Sequence, residues 1–236
     1  MKIQSEIPIF KKGDKSDPAN YRPISLTSHL IKIFERVIRK RLVAHLETNS
    51  ILTNKQHGFR KGRSCLSHLL KHIDDIIQSI LEGNGHDVIY LDFAKAFDKV
   101  DHEILVHKLK QCGIKQFLTN RNQYVTINGV HSSLSLVFSG VPQGSVLDPI
   151  LFRIYIKDLQ GCLRGYTAGS FADVTRLSKE IFGCDDASVL QEDLNSVVKL
   201  GCQNNMVLHE DKFEFLVYIT EHSEVKSRRN SPSLHN

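Results

Sequence analysis

Apolar and polar positions along the chain fall into a few periodic runs. After Ser28, whose side chain can accept a hydrogen bond at a helix start, Leu30, Phe34, Val37, Ile38 and Leu42 recur on one side of an expected helix. Its other side carries Lys32, Arg36, Arg39 and Lys40. Ser64 is placed to cap a second helix, in which Leu66, Leu69, Leu70, Ile73, Ile76, Ile77 and Ile80 repeat at helical spacing until Gly83 stops it. Both read as packing helices. Val88-Ile89-Tyr90-Leu91 is a continuous apolar run that ends on Asp92, the pattern of a buried strand. Residues 100–109 read as a helix with Asp98 or Asp101 as its cap. Residues 124–130 alternate and then turn at Asn128-Gly129, a hairpin signal. Asp148-Pro149 opens a helix expected over residues 150–159, with proline in its first turn. Residues 188–200 read as another helix and residues 213–218 as a late strand.

Composition narrows the class. Of 236 residues, 41% are hydrophobic and 24% charged, which is globular rather than disordered composition. The length suits one large domain or two small ones. The start of the chain has no apolar signal region, and no apolar run approaches the ~18–20 residues of a membrane span. An intracellular protein, neither secreted nor membrane-bound, is therefore expected. Cys65, Cys112, Cys162, Cys184 and Cys202 are scattered with no CxxC pair, so neither a disulfide framework nor a zinc site follows. The net charge of +5 hides an asymmetry, because residues 1–63 carry 14 Lys+Arg and 5 Asp+Glu whereas the remainder is acidic. A basic lobe suits phosphate backbones and clustered carboxylates suit a metal, although on charge alone an ordinary solvated surface is the better explanation.

Candidate chemistry centres on Asp92. A carboxylate at the end of a buried strand is costly unless it is paired or holds a metal. Taken alone, a helix cap or a salt bridge to Lys95 explains it as well as catalysis does. A second carboxylate, Asp173, lies downstream in a short apolar-and-turn context. Between them, Ser139-Gly140-Val141-Pro142-Gln143-Gly144-Ser145 is a Gly/Pro loop that lets backbone approach a ligand and carries an amide able to bind one.

Four blocks then occur in order. They are Pro8-Ile9-Phe10-Lys11-Lys12-Gly13-Asp14 with Asn20-Tyr21-Arg22-Pro23-Ile24-Ser25-Leu26; Gln56-His57-Gly58-Phe59-Arg60-Lys61-Gly62-Arg63-Ser64; Leu91-Asp92-Phe93-Ala94-Lys95-Ala96-Phe97-Asp98; and Ser139-Gly140-Val141-Pro142-Gln143-Gly144-Ser145-Val146-Leu147. A weaker fifth runs from Asn205 to Glu214. In this order they resemble the reverse transcriptase domain of non-LTR (LINE-type, jockey-like) retrotransposons, in a degenerate form, over residues 7–217.

The resemblance implies an α+β fold with right-hand polymerase fingers and palm, an antiparallel palm sheet packed by helices, and no thumb. Residues 1–86 would form a basic fingers-like region, 87–218 the palm-like region of the same domain, and 219–236 a divergent tail of disordered composition. It implies RNA-directed DNA synthesis from an RNA template, a DNA primer and dNTPs, with two Mg²⁺ ions roughly 3.5–4 Å apart. On that pattern Asp92, the Phe93 carbonyl and Asp173 are metal ligands, with Asp92 and Asp173 catalytic. Arg22 and Lys12 grip the triphosphate, a task that guanidinium geometry suits. Phe97 is the gate against a ribose 2′-hydroxyl, although a core aromatic reads almost equally well. Gln143 and Gly144 line the nascent pair, Lys212 lies near the leaving pyrophosphate, and Arg60, Lys61 and Arg63 meet template phosphates, although a solvated basic turn is the default reading of each.

The sequence also departs from the pattern. Where the family has aromatic-Ala-Asp-Asp, this chain has Phe171-Ala172-Asp173-Val174, and valine cannot ligate a metal. Impaired polymerisation is expected, and the alternative is a catalytically dead nucleic-acid-binding remnant. Asp185-Asp186 reads as the cap of the following helix rather than a displaced metal pair. An extra helical stretch that the family has between Gly113-Ile114 and Leu118-Thr119-Asn120-Arg121 is deleted, Asp148 replaces a small residue, and Gly201 stands where Trp is common.

Overall fold

The computed structural model describes residues 3–51, 65–114, 122–171, 174–182 and 186–219. In chain order the strands and helices are β1 (Ile3–Phe10), β2 (Tyr21–Leu26), α1 (His29–Thr48), α2 (Cys65–Leu81), β3 (Gly85–Asp92), α3 (His102–Gln111) and β4 (Asn122–Ile127). These are followed by β5 (Val130–His131), β6 (Ser135–Leu136), α4 (Asp148–Tyr155), β7 (Thr167–Phe171), β8 (Val174–Ile181), α5 (Asp186–Gln203) and β9 (Glu214–Tyr218). The fold is α+β, in two compact units interleaved along the chain. The first comprises Met1–Ile51 with Phe97–Tyr155, and the second Leu52–Ala96 with Ile156–Asn236.

In the first unit the sheet order is β2-β1-β4-β5, with β6 on β4; β1 and β4 run parallel and the other pairs antiparallel. The β4–β5 turn has Asn128 at φ 50° and Gly129 at φ 81°, the paired left-handed conformations that a two-residue hairpin needs. Ser28 caps α1 through Ile31 N–H at 3.4 Å, as expected. The apolar stripe of α1 is not the packing face the sequence suggested: Leu42 and Leu46 are buried, but Leu30, Phe34 and Val37 are exposed. Its covered end lies beside α3, where His45 Nε2 meets the Cys112 carbonyl at 2.7 Å. Of the two candidate caps for α3, Asp101 serves, accepting from Glu103 N (2.8 Å) and Ile104 N (3.1 Å). Leu105 and Leu109 of α3 pack with α4, whose Leu151, Phe152 and Tyr155 are fully buried. Helix α4 stops at Tyr155, earlier than expected, and its last carbonyl accepts from the buried Lys108 Nζ at 2.5 Å.

The second unit holds a four-stranded antiparallel sheet, β7-β8-β3-β9. Central β3 pairs residue by residue with β8 from Gly85↔Ile181 to Asp92↔Val174, and Val88, Ile89, Leu91 and Leu177 are sealed from solvent. Helix α2 turns His72, Ile76 and Ser79 inward, with His72 Nε2 3.3 Å from Tyr90 Oη and Ser79 Oγ 2.9 Å from His86 Nδ1 of β3, while Leu66, Leu69, Leu70, Ile73, Ile77 and Leu81 of its apolar stripe remain exposed. Asp186 is the first residue of α5 rather than its cap. Its carboxylate accepts from Lys179 Nζ (2.5 Å) and Phe182 N–H (3.0 Å), tying the end of β8 to the helix.

Further along α5, Asp193 is fully buried. It accepts the backbone N–H groups of Arg164 (2.7 Å), Gly165 (3.0 Å) and Tyr166 (2.7 Å), fixing the turn before β7. Removing this acceptor leaves three donors without it, so Asp193→Ala is expected to cost about 2–3 kcal/mol, read as a lower urea midpoint. A midpoint equal to the parent's would contradict this role. Among the described residues no helix is long and apolar enough to cross a membrane. The expected Ser64 cap and the basic turn at Arg60, Lys61 and Arg63 lie outside the described residues, as do residues 115–121, Asp173, Asp185 and the tail from residue 220.

Candidate active site

The apolar face of β3 continues through Leu91, so the next residue, Asp92, arrives buried, with 8% of its surface exposed. Its partner is not the nearby Lys95. Lys212 Nζ donates to Asp92 Oδ2, from a residue 120 positions away. Lys212 ends the 3₁₀ turn Glu210–Lys212, which backbone bonds draw to the strand end. His209 N–H donates to the Asp92 carbonyl (2.8 Å), Ala94 N–H to the Val207 carbonyl (2.8 Å), and Phe93 bridges to Leu208. The weak fifth sequence block is thus bonded directly to the block that carries Asp92.

The second carboxylate oxygen, Asp92 Oδ1, is buried and has no hydrogen-bond partner among the described residues. An orphaned, desolvated carboxylate oxygen is a costly arrangement that a hard divalent cation would satisfy. The residue directly opposed to Asp92 in the β3–β8 register is Val174, which has no donor atom to share that task. Asp173, the other expected ligand, immediately precedes it in sequence. Among the described residues no three His, Cys, Asp or Glu side chains gather as a metal site. The Asp92 oxygen therefore fits a cation, while position 174 offers it nothing.

In the first unit, Arg22 lies exposed on β2 opposite Ile9, and Lys12 is exposed in the turn after β1. The Gly/Pro loop is bonded along the segment that follows Ala96: Gly140 N–H donates to the Val100 carbonyl (2.8 Å) and Val141 N–H to the Phe97 carbonyl (2.9 Å). Gly140 has φ 86°, and a Cβ there would stand 3.1 Å from the Asp98 carbonyl, so both conformation and space call for glycine. Gln143 is held at both ends. Its carbonyl accepts from Ser25 N–H (2.9 Å), and its Nε2 donates to Asp98 Oδ1 (2.5 Å). Phe97 is half-buried and stacks on Phe152, with ring centroids 4.4 Å apart and 29° between planes.

The far side of the loop rests on Glu35 of α1, whose two oxygens accept from Ser145 Oγ (2.8 Å) and Val146 N–H (2.9 Å). Asp148 is 9% exposed beside it, and its Oδ1 is buried with no hydrogen-bond partner among the described residues. Burial first, then the neighbouring Asp98 and Glu35 charges, push its carboxyl up to about 7, while the Gly144 N–H pulls the other way. The sequence singled out Asp148 as unusual but gave no signal for Asp98, Glu35 or Lys212 as partners, since each pairing joins segments far apart in the chain.

A family profile described as "Reverse transcriptase (RNA-dependent DNA polymerase)" matches residues 9–230. The chain is 33% identical over 166 residues to a probable RNA-directed DNA polymerase from transposon BS of Drosophila melanogaster, covering 67% of this chain and 18% of that protein. It is 30% identical over 224 residues to the RNA-directed DNA polymerase from mobile element jockey of Drosophila funebris, covering 88% of this chain and 24% of that one. It therefore spans about a fifth of the length of these relatives. Among solved structures, apo telomerase from Candida tropicalis superposes with TM-score 0.64 at 10% identity, over 98% of this chain and 46% of that one. Telomerase from Candida albicans, in complex with a fragment of telomeric RNA, superposes with TM-score 0.60 at 11% identity, over 100% and 46%. These likenesses show the right-hand polymerase fold. The chain belongs to the reverse transcriptase (RNA-dependent DNA polymerase) family, and the relatives it resembles are polymerases of Drosophila transposons and mobile elements.

Proposed function

We propose that the chain carries the DNA-synthesising core of an RNA-directed DNA polymerase, slowed by the valine at position 174. The observation that carries this reading is Asp92: a buried carboxylate at the end of the central palm strand, one oxygen of which has no partner among the described residues. Asp92, the Phe93 carbonyl and Asp173 would hold Mg²⁺. When bound, the divalent cation supplies activation of the primer 3′-hydroxyl and neutralisation of phosphate charge. Arg22 and Lys12 bind triphosphate oxygens, and Phe97 excludes a 2′-hydroxyl. Gln143 and Gly144 position the nascent base pair, with Asp98 fixing the Gln143 amide. Arg60, Lys61 and Arg63 bind template phosphates. The domain reading of residues 1–86 as fingers and 87–218 as palm belongs to the same proposal.

Primer extension on a primed RNA template, with each dNTP and with Mg²⁺ or Mn²⁺, tests it. Slow, metal-dependent addition that falls by about 10²-fold or more in Asp92→Asn supports the reading. Equal extension by Asp92→Asn would overturn it. A second reading, a nucleic-acid-binding remnant without turnover, is favoured by Val174 opposite Asp92 and by Lys212 on its carboxylate. That reading predicts a salt-dependent RNA shift with no extension.

A further inference from the structure

Lys212 makes an unusual choice of partner. Its side chain is 49% exposed, yet its ammonium leaves water to sit on Oδ2 of a carboxylate whose own side chain is 11% exposed. The turn that carries it is held in place by the His209–Asp92 and Ala94–Val207 backbone bonds and by the Phe93–Leu208 bridge, so the backbone sets the base of Lys212 within reach of Asp92. Position 174, directly opposite Asp92, brings no charge of its own. At Asp92 itself, then, the carboxylate is met by the Lys212 ammonium, while Glu210 and Asp211 lie in the same turn and His209 pairs with Asp211.

We propose that Lys212 is a built-in counter-cation of Asp92, which a divalent metal ion must displace before it can use both carboxylate oxygens. This inference rests on the reading of Asp92 as a metal ligand, and it adds that Lys212 sets how tightly the ion is held. Two effects act in the same direction. The ammonium occupies Oδ2, and its positive charge repels an incoming dication over a short, poorly solvated distance. In a site with a second carboxylate at position 174 the ion would outbid the lysine easily. With valine there, the competition is close, so Lys212 weakens metal binding by about tenfold.

The test uses Mn²⁺ alone, with no nucleic acid or nucleotide, so that it is independent of polymerase turnover. Mn²⁺ binding to the full chain is measured by electron paramagnetic resonance for the parent, Lys212→Gln, Lys212→Arg and the double variant Asp92→Asn/Lys212→Gln. Lys212→Gln is expected to tighten Mn²⁺ about tenfold, Lys212→Arg to match the parent, and the double variant to lose the gain. Mn²⁺ binding by Lys212→Gln that is no tighter than the parent's, or a gain that survives Asp92→Asn, would overturn the proposal. A measurement on the unaltered chain guards against a folding defect in the variants: acetylation of Lys212, followed by mass spectrometry, should speed up when Mn²⁺ is added. An unchanged labelling rate also overturns it. Because primer extension plays no part, failure here leaves the polymerase reading standing, and failure of extension leaves this competition measurable.

Discussion

Val174→Asp is expected to raise Mg²⁺-dependent extension of a primed RNA template by about 10²–10³-fold, the range in which single charge-stabilising groups act at such sites. The register supplies the reason. Position 174 is directly opposed to Asp92 across the β3–β8 pair, and directly opposed residues in antiparallel strands stand about 4.5–5.5 Å apart at Cβ. A carboxylate there is within reach of an ion shared with Asp92. It also offers that ion a charge that Lys212 does not already neutralise. Nothing else in β3 or β8 needs to move, because the strand pairing runs unbroken to this position. Single-nucleotide incorporation rates at saturating dNTP read the effect on kcat, and a gain confined to KM would argue against a metal role.

Asp148→Asn is expected to stabilise the protein by roughly 2–4 kcal/mol at pH 8 and to change it little near pH 4. The carboxyl is raised from 3.8 to about 7 in the folded chain. Between those values the folded protein keeps the proton that the unfolded chain has released. Stability therefore falls as pH rises through this window and levels off above it. Asparagine carries no charge at any of these pH values and still accepts from Gly144 N–H, so the variant escapes the loss. Urea unfolding at pH 4 and pH 8 measures the difference, and equal gains at both would show that the carboxyl is not held protonated. The consequence reaches the loop, because Asp98, the neighbour that repels an ionised Asp148, also holds the Gln143 amide.

Much of the fold could be read from local chemistry. The Ser28 and Asp101 caps, the Asn128-Gly129 turn and the buried run of β3 each follow from a few adjacent residues. Strands β1 and β2 could not, because Pro8 and Pro23 break the signal that residues around them would give. The structure sets these two prolines opposite each other, and β1 pairs with β4 only over Ile3–Glu6, short of Pro8. Strand β7 hid for another reason: Thr167-Ala168-Gly169-Ser170-Phe171 has little β-branched or aromatic content, and its pairing with β8 is what makes it a strand. Helix α1 shows the limit of periodicity. An apolar stripe predicts a helix, but not how much of that stripe its neighbours cover.

The candidate site divides in the same way. Asp92 stood out because a charge closes an apolar run, and Gln143 because its loop is rich in Gly and Pro. Lys95 was the partner that proximity in sequence offered Asp92. Lys212 won because β9 and the turn before it fold back along β3. Asp148 was legible as an oddity, but its behaviour comes from Asp98 and Glu35, which only tertiary structure brings beside it.

In the proposed function the palm is built on Asp92 and lacks one carboxylate at position 174. That reading is tested most directly by single-nucleotide extension on a primed RNA template with the parent, Val174→Asp and Asp92→Asn/Val174→Asp in parallel. Slow extension by the parent is expected, with a gain of about 10²–10³-fold in Val174→Asp and loss of that gain in the double variant. Equal rates for the parent and Val174→Asp, or a gain that persists without the Asp92 carboxylate, would contradict it.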